Sequence, residues 1–475
     1  MSAVDWESVK RKAPEWFRDA KFGLFFHWGP YCVPAYQNEW YSRNMYSKGL
    51  EQNKYHEKTY GKVKDFGYKD FYPMMKGEKF DAEEWADLVE ISGARYAGPV
   101  SEHGDNFSMW DSKVNPVNSV AYGPHRDVVG ECTKAFRKRG IRMLATFHHQ
   151  WLWGWFMSSD NEADVYDPAN EIYYGQALPL ETNRYIPYRY PNETFLKTWR
   201  DKVNEVVDRY EPDVIYFDSR TCIIDEKYRY DIADYYYHKK GIKDGILTYK
   251  QNDFPEGVGV FDIECGRFAL PKPFAWQSDD RLEDNITWCM VQEPKYKSAE
   301  KIIHQLCDIV SKNGNLLLNV GPYADGSFHP EAVGILKEIG SWLRLNGEGI
   351  YGTRPFDIAA EGPTVVEDAD YDVDKIKEQL NKGDAVDVRS GDLTELDFRF
   401  TRKGDTVYII AFGWPEDGCF HIKTFREGGI YKKQIERLEM LGFNGKVTYH
   451  RDTEGLHARV TGQKPCEYAY VFKVT

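Results

Sequence analysis

Six apolar runs along the 475-residue chain each end on a polar side chain that is capable of chemistry. The runs end at His27, His103, His148, Asp218, Glu264 and Asn319. Parallel strands that are covered by helices on one side and fill a barrel on the other are apolar along nearly their whole length. Their C-terminal ends meet at one face, where barrel enzymes carry their active sites. The pattern therefore predicts an α/β fold, a TIM-like (β/α) barrel, with a functional site at its mouth.

Helix signals separate these apolar runs. Asp81 and Glu84 have the spacing of a capping box, and Gly93 ends the apolar helical face that follows them. Ser298 likewise precedes a helical segment that ends at Gly314, just before the last apolar run. The alternation of strand and helix continues over about 350 residues, as it does in barrels.

The length of the chain and a change in pattern predict two domains. One hydrophobic core rarely keeps growing to this chain length. Short alternating runs appear late in the chain and predict antiparallel strands: LDFRFT, TVYIIAF, KVTYH, HARVTG and YAYVFKV. We therefore expect a (β/α) barrel over residues 1–355 and a C-terminal antiparallel β-sandwich over residues 356–475.

Composition excludes some partners. A formal net charge of −13 argues against binding to nucleic acid or to an anionic membrane, which relies on Lys and Arg. No run approaches the roughly 20 apolar residues of a membrane span, and the first residues lack the apolar core of a signal peptide. We expect a soluble chain, with its compartment left open between the cytoplasm and a periplasmic or secreted location. Homo-oligomerisation is also left open.

Asp218 and Glu264 are the candidate catalytic pair. A retaining glycosidase needs one carboxylate as nucleophile and a second carboxyl group as proton donor, about 5–5.5 Å apart. Two acids at the strand ends of one barrel meet this requirement. The aromatic ring of Tyr216 would limit water around Asp218, which makes Tyr216 a candidate for the substrate pocket. The alternative for either acid is a structural role, as a helix cap or in an ion pair with Arg220 or Arg267.

The histidines at strand ends allow two roles. Imidazoles in this position are common metal ligands, and the same geometry suits hydrogen bonds to sugar hydroxyls. His148 and His149 are adjacent, so on a strand they point to opposite faces and do not bind one metal together. We therefore expect no metal cofactor. His304, in the middle of a predicted helix, is expected to be a core histidine bonded to the backbone.

Three long segments carry a family resemblance. They read WFRDAKFGLFFHWGPYCVPAYQNEWY, DIVSKNGNLLLNVGPYADG and IGSWLRLNGEGIYGTRPF, at residues 16–41, 308–326 and 339–356. These segments resemble signatures of the α-L-fucosidases of glycoside hydrolase family 29. The resemblance implies a (β/α) barrel with a C-terminal β-sandwich. It also implies retaining hydrolysis of terminal α-L-fucosides, on fucosylated oligosaccharides or polysaccharides, without a metal cofactor.

The resemblance also implies roles for individual residues. Asp218, in VIYFDS, matches the nucleophile of the family. Glu264, in FDIECGRF, looks like its acid/base, with Cys265 where the related motif has an arginine. The competing candidates for the acid/base are Glu39, Glu102 and Asp284. Positions that match sugar-binding or pocket-wall residues are His27, Glu39, Trp40, His103, His148, Trp276 and Trp288.

Gly104 is a departure from the family pattern. The family usually has two adjacent histidines where this chain has His103 and Gly104. Losing one neutral hydrogen bond costs about 0.5–1.5 kcal/mol, so weaker activity on plain fucose is expected to survive. We hypothesise that the vacated volume accepts a substituted or L-galactosyl ring.

The sequence also allows two other functions. A barrel that binds glycans without catalysis would keep the aromatic wall and the histidines. A metal-dependent barrel hydrolase would use the histidines as ligands. Covalent labelling of Asp218 distinguishes the first, and loss of activity with a chelator distinguishes the second.

Overall fold

A closed barrel of eight parallel strands forms the N-terminal part of the protein. The computed structural model describes residues 4–180, 187, 189–239, 242–364 and 393–475. The strands follow chain order around the barrel, and β8 pairs with β1 to close it. They are β1 Phe22–Phe26, β2 Tyr96–Glu102, β3 Arg142–Phe147, β4 Val214–Phe217, β5 Ile246–Lys250, β6 Val260–Glu264, β7 Trp276–Arg281 and β8 Gly314–Asn319. The predicted (β/α) barrel is confirmed.

Helices connect and cover these strands. Within the described residues they are α1 Glu15–Ala20, α2 Tyr41–Asn44, α3 Glu51–Thr59, α4 Ala82–Ser92, α5 Val128–Lys138, α6 Glu171–Tyr174, α7 Glu193–Tyr210, α8 Glu226–Asp234, α9 Ala299–Ser311 and α10 Pro330–Asn346. The predicted caps of α4 are confirmed, since the Asp81 side chain accepts the backbone N–H of Glu84 and Gly93 ends the helix with φ 86°. No helix in the described part of the chain is long and apolar enough to cross a membrane.

Apolar side chains fill the inside of the barrel. They belong to one buried cluster that includes Phe25, Tyr96, Val100, Leu144, Val214, Tyr216, Ile246, Val260 and Leu317. A barrel of eight strands is just wide enough for side chains to fill it. The interior is therefore a packed core, and the space for a ligand lies above it, at the C-terminal ends of the strands.

The C-terminal part consists of two antiparallel sheets, as predicted for a β-sandwich. The larger sheet has the order β13-β16-β11-β10-β9 and the smaller one β12-β15-β14. These strands are β9 Arg354–Glu361, β10 Phe398–Lys403, β11 Thr406–Ala411, β12 Cys419–Ile422, β13 Leu438–Met440, β14 Lys446–Arg451, β15 Leu456–Thr461 and β16 Tyr470–Val474. One apolar cluster joins them, with Phe400 from the larger sheet and Phe420 from the smaller. The expected boundary at residue 355 lies inside β9 and stays a prediction.

Candidate active site

Lys250 lies at the centre of the acidic groups at the mouth of the barrel. It is the last residue of β5, and its side chain is only 2% exposed. Its Nζ lies 3.3 Å from Asp218 Oδ1, 2.8 Å from Glu264 Oε2 and 3.0 Å from Asp279 Oδ2. Asp218 directly follows β4, and Glu264 ends β6. Asp279 lies on β7. Four neighbouring strands, β4 to β7, thus bring one ammonium and three carboxylates together.

The charges of this cluster stabilise one another. Burial would lower the pKa of Lys250, but the carboxylates of Asp279, Glu264 and Asp218 raise it well above its ordinary value. Burial raises the pKa of Asp218, while the ammonium of Lys250 opposes that shift. Breaking a buried ion pair typically costs about 3–5 kcal/mol, because the remaining charge loses its partner. Lys250 therefore fixes the geometry of both candidate catalytic acids.

Trp151 holds the second oxygen of Asp218. Its indole Nε1 donates to Asp218 Oδ2 at 2.9 Å, while Lys250 contacts Oδ1. Trp151 lies in the short 3₁₀ turn His149–Leu152, which follows β3. With one donor on each oxygen, the plane of the carboxylate is fixed. Neither donor is predicted from the sequence.

Three buried histidines form a cluster next to the acids. The rings of His103 and His148 stack with centroids 4.8 Å apart, and His27 lies 5.2 Å from His148. Burial lowers the pKa of His27 to about 3 and holds the pKa of both other imidazoles well below the ordinary value. All three rings are therefore neutral near pH 7. The Nδ1 atoms of His103 and His148 are buried and have no hydrogen-bond partner among the described residues.

Asn319, at the end of β8, sets the tautomer of His27. Its amide Nδ2 donates to the carbonyl oxygen of Trp288 at 2.5 Å, so its Oδ1 faces His27. That oxygen lies 2.7 Å from His27 Nδ1 and can only accept, so Nδ1 carries the proton. His27 Nε2 is then left with a lone pair, which can accept a hydrogen bond from a ligand hydroxyl.

Aromatic rings and a further acid border the histidine cluster. Trp288 is half-buried, and its ring centroid is 5.5 Å from that of His27. The backbone N–H of Trp288 donates to Glu39 Oε2 at 2.9 Å, and burial raises the pKa of Glu39 to about 7. Trp40 packs against Trp151, with centroids 5.2 Å apart. The predicted residues Glu39, Trp40 and Trp288 are therefore near the acids and histidines.

Comparison with known proteins identifies the family. Residues 2–348 match the family described as Alpha-L-fucosidase, and residues 391–475 match the Alpha-L-fucosidase C-terminal domain. The chain belongs to the alpha-L-fucosidase family. It is 29% identical to the tissue alpha-L-fucosidase of Rattus norvegicus, over 99% of this chain and 92% of the rat protein. It is 31% identical to an alpha-L-fucosidase of Dictyostelium discoideum, over 74% of each chain.

A solved structure of the family has the same fold. The crystal structure of Thermotoga maritima alpha-fucosidase in complex with a mechanism-based inhibitor aligns with a TM-score of 0.74 and 25% sequence identity. The alignment covers 99% of both chains. The agreement therefore extends over the barrel and the C-terminal sheets together.

Of the predicted pocket residues of this family member, Trp276 lies away from the site and Tyr216 lies directly below it. Trp276 is the first residue of β7, at the opposite end of the barrel from the acids, and it is fully buried. Its Nε1 donates to the carbonyl oxygen of Lys312 at 2.8 Å, so the prediction of a pocket wall is wrong. Tyr216 belongs to the core inside the barrel, and its hydroxyl donates to Asp279 Oδ2 at 3.2 Å. Tyr216 thus supports the ion cluster from below.

The rival acids Glu102 and Asp284 do not join the cluster around Lys250. Glu102 is fully buried and bonds to Lys202 Nζ at 2.6 Å, which gives it a structural role. The Asp284 side chain is 41% exposed and lies 3.6 Å from Lys301 Nζ. Glu264, which contacts Lys250 beside Asp218, therefore fits the role of the second catalytic acid better than Glu102 or Asp284.

Two histidines have structural roles, one of which, that of His304, is predicted from the sequence. His149 points away from His148, and its Nε2 bonds to the carbonyl oxygen of Trp199 at 3.0 Å. His304 Nε2 bonds to the carbonyl oxygen of Tyr468 at 3.0 Å. Neither ring belongs to the histidine cluster at the barrel mouth.

The space beside Gly104 is filled, which overturns the hypothesis of a vacated volume. A Cβ atom at this position would lie 2.9 Å from Trp155 Cε3 and 3.0 Å from Trp151 Cβ. Trp155 is itself fully buried, and its Nε1 donates to Ser42 Oγ at 2.9 Å, which anchors the ring. Two tryptophan residues thus occupy the volume beside Gly104.

Gly104→Ala is expected to lower the free energy of unfolding by about 1–3 kcal/mol, because added atoms overpack a filled core. Gly334→Ala is the matched control, since Gly334 lies inside α10 with nothing within 4 Å of an added Cβ. That substitution should raise the free energy of unfolding by about 0.5–1 kcal/mol. Denaturant unfolding measures both. Wild-type stability of Gly104→Ala would mean that the indoles leave room for a substituent.

Proposed function

We propose that this chain is a retaining α-L-fucosidase that removes terminal α-L-fucosyl residues from fucosylated oligosaccharides or polysaccharides. The observation that carries the proposal is the contact of Lys250 with both acids. Oxygens of Asp218 and Glu264 that lie 3.3 and 2.8 Å from one nitrogen are at most about 6 Å apart. Inverting pairs are about 6.5–9.5 Å apart, to admit a water molecule. The geometry therefore supports displacement by a carboxylate.

The proposed reaction has two steps. In the first, a carboxylate oxygen of Asp218 attacks the anomeric carbon while Glu264 gives its proton to the departing glycosidic oxygen. A fucosyl ester of Asp218 forms, and the remainder of the glycan leaves as an alcohol. In the second step, Glu264 takes a proton from water, and the water oxygen displaces Asp218. Two inversions at the anomeric carbon retain its configuration.

Lys250 and Trp151 keep Asp218 ready to attack. A positive charge and a hydrogen-bond donor both favour the ionised form of a carboxylate, against the effect of burial. They contact different oxygens of Asp218, so the carboxylate does not rotate away from the anomeric carbon. When the ester forms and the charge of Asp218 is lost, Lys250 keeps Asp279 as its buried partner.

The histidine cluster and the aromatic rings suit a fucose ring. Neutral imidazoles donate and accept hydrogen bonds, and His27 Nε2 is free to accept from a hydroxyl. His103 and His148 supply buried Nδ1 atoms that need partners. The half-buried ring of Trp288 offers an apolar surface beside them. These are the sugar contacts that the proposal assigns.

A metal-dependent hydrolase is the second candidate function. The observation that favours it is the close approach of His27, His103 and His148, which each offer one nitrogen within 4.8 Å of the others. Three histidines hold catalytic zinc in some hydrolases. This candidate predicts that a chelator abolishes activity and that zinc restores it, whereas the carboxylate mechanism predicts no effect of the chelator.

The direct test uses an aryl α-L-fucoside and a 2-fluoro-fucosyl fluoride. We expect turnover in the presence of a chelator, with α-L-fucose as the first product seen by NMR. The fluorinated sugar should inactivate the protein and add one label, which peptide mass spectrometry locates on Asp218. An aryl β-L-fucoside serves as the control substrate and should not react. L-Fucose binding without turnover or label would instead indicate a glycan-binding protein.

A further inference from the structure

Three histidines form a row across the smaller sheet of the C-terminal domain. His421 on β12 pairs with His457 on β15, which in turn pairs with His450 on β14. Side chains directly opposite each other in antiparallel strands lie close enough to interact. The ring centroids of His421 and His457 are 5.0 Å apart, and those of His450 and His457 are 4.6 Å apart.

The row lies on the face of the sheet that points away from the core. Phe420 and Leu456, the chain neighbours of His421 and His457, are both buried in the sandwich core. Because side chains alternate along a strand, the two histidines point outward. His450 is 71% exposed. Packing of the sandwich does not explain these imidazoles, and the proposed hydrolysis does not use them.

Asp452 completes the cluster from the turn between β14 and β15. The backbone N–H groups of Glu454 and Gly455 donate to its Oδ1, which fixes the carboxylate. The same oxygen lies 3.0 Å from His457 Nε2, and Oδ2 lies 3.7 Å from His450 Nε2. The donor atoms of His450, Asp452 and His457 all lie within 4.8 Å of one another.

We propose that His450, Asp452 and His457 bind one divalent transition-metal ion, with Zn²⁺ as the preferred ion. Two imidazoles and a carboxylate are a ligand set that zinc takes, with the remaining position left for water. Ca²⁺ and Mg²⁺ prefer oxygen ligands alone and should bind poorly. The site is independent of the proposed fucosidase chemistry, since none of its ligands belongs to the barrel.

His421 acts as the outer partner of this site. A histidine that binds a metal through one ring nitrogen usually bonds a neighbour through the other, which orients the ring. His457 Nδ1 lies 2.8 Å from His421 Nδ1, while its Nε2 faces Asp452. The ring of His457 is therefore held between Asp452 and His421, and a metal at Nε2 would displace the proton that Nε2 donates to Asp452.

A bound ion would link β14, β15 and the turn between them. Any ligand that binds only the folded state stabilises it, by an amount that grows with the logarithm of its free concentration above Kd. We therefore expect Zn²⁺ to raise the unfolding temperature of the metal-free full-length protein. The rise should be absent in His457→Ala, which removes a ligand without touching the barrel.

Calorimetric titration of the metal-free full-length protein with ZnCl₂ tests the site. Saturating L-fucose is included, because the barrel histidines His27, His103 and His148 are a competing place for zinc. We expect one Zn²⁺ per chain. Its affinity should fall by more than about 100-fold in His457→Ala and by roughly 10–100-fold in the outer variant His421→Ala. His450→Gln, at an exposed position, should also lose binding and gives a second variant that is expected to fold.

His238→Ala is the matched control, since His238 is an exposed histidine 3.0 Å from Asp234. Its zinc affinity should equal that of the wild type. His457→Ala and His238→Ala should both keep wild-type turnover of an aryl α-L-fucoside, which separates this proposal from the proposed function. Zinc that L-fucose displaces, or that binds equally to His457→Ala, would overturn the proposal, as would the absence of binding to the wild type.

Discussion

Asp218→Ala is expected to lower kcat on an aryl α-L-fucoside by about 10⁴-fold or more, the scale of losing the nucleophile in other hydrolases. Without this carboxylate no fucosyl ester forms. The fold should survive, because Lys250 keeps Glu264 at 2.8 Å and Asp279 at 3.0 Å. Steady-state kinetics give the loss, and the thermal unfolding midpoint checks the fold.

Added azide should rescue this variant with a change in stereochemistry. The removed side chain leaves room for a small anion to reach the anomeric carbon, and a single displacement inverts the configuration. The expected product is therefore β-L-fucosyl azide, identified by NMR. An α-configured azide, or a kcat close to that of the wild type, would show that Asp218 is not the nucleophile.

Trp151→Phe provides a graded comparison. The change keeps an aromatic ring but removes the indole N–H that lies 2.9 Å from Asp218 Oδ2. A hydrogen bond to a charged group is worth about 1.5–3 kcal/mol, so kcat should fall by roughly 10–100-fold. The loss of kcat should be smaller than in Asp218→Ala, and azide should not restore it. Both results are expected of a residue that positions the nucleophile but is not itself the nucleophile.

The sequence predicts six of the eight barrel strands. The six apolar runs correspond to β1 to β4, β6 and β8. β5 and β7 are not among them, although they carry Lys250 and Asp279, which form an ion pair at 3.0 Å inside the barrel mouth. β7 reads WQSDDR and has no apolar run, because its buried charged side chains are paired. β5 reads ILTYK, an apolar run that ends at Lys250 as the six others end on polar residues. The missed strands are therefore those that hold the centre of the candidate site.

Long-range contacts explain the remaining differences between the sequence analysis and the structure. The sequence identifies Gly104 as a departure from the family pattern, but the residues that fill its space, Trp151 and Trp155, lie about 50 positions later. Trp276 is assigned to the pocket wall from the family resemblance. Its position at the start of β7, and not at the end, places it at the other end of the barrel. Residue type suggests chemistry, but strand register decides which groups meet.

Glu264→Gln is expected to affect two kinds of substrate differently. On a fucoside with an alcohol leaving group, kcat should fall by about 10²–10⁴-fold, because the general acid is gone. A nitrophenyl leaving group departs without a proton, so the first step should be nearly unchanged. The fucosyl ester should then accumulate, since no base activates water. Stopped-flow measurements should show a burst of nitrophenol, and azide should speed the steady state.

Asp284→Asn is the matched control for this experiment. Asp284 is an exposed acid that pairs with Lys301, and such pairs contribute little, so kcat on both substrates should stay within about twofold of the wild type. Glu102→Gln should lower stability instead, because it leaves Lys202 buried without a carboxylate. Equal losses on both substrates for Glu264→Gln, with no burst, would place the proton donor elsewhere. Glu39, in which burial raises the pKa to about 7, would then be the acid to test.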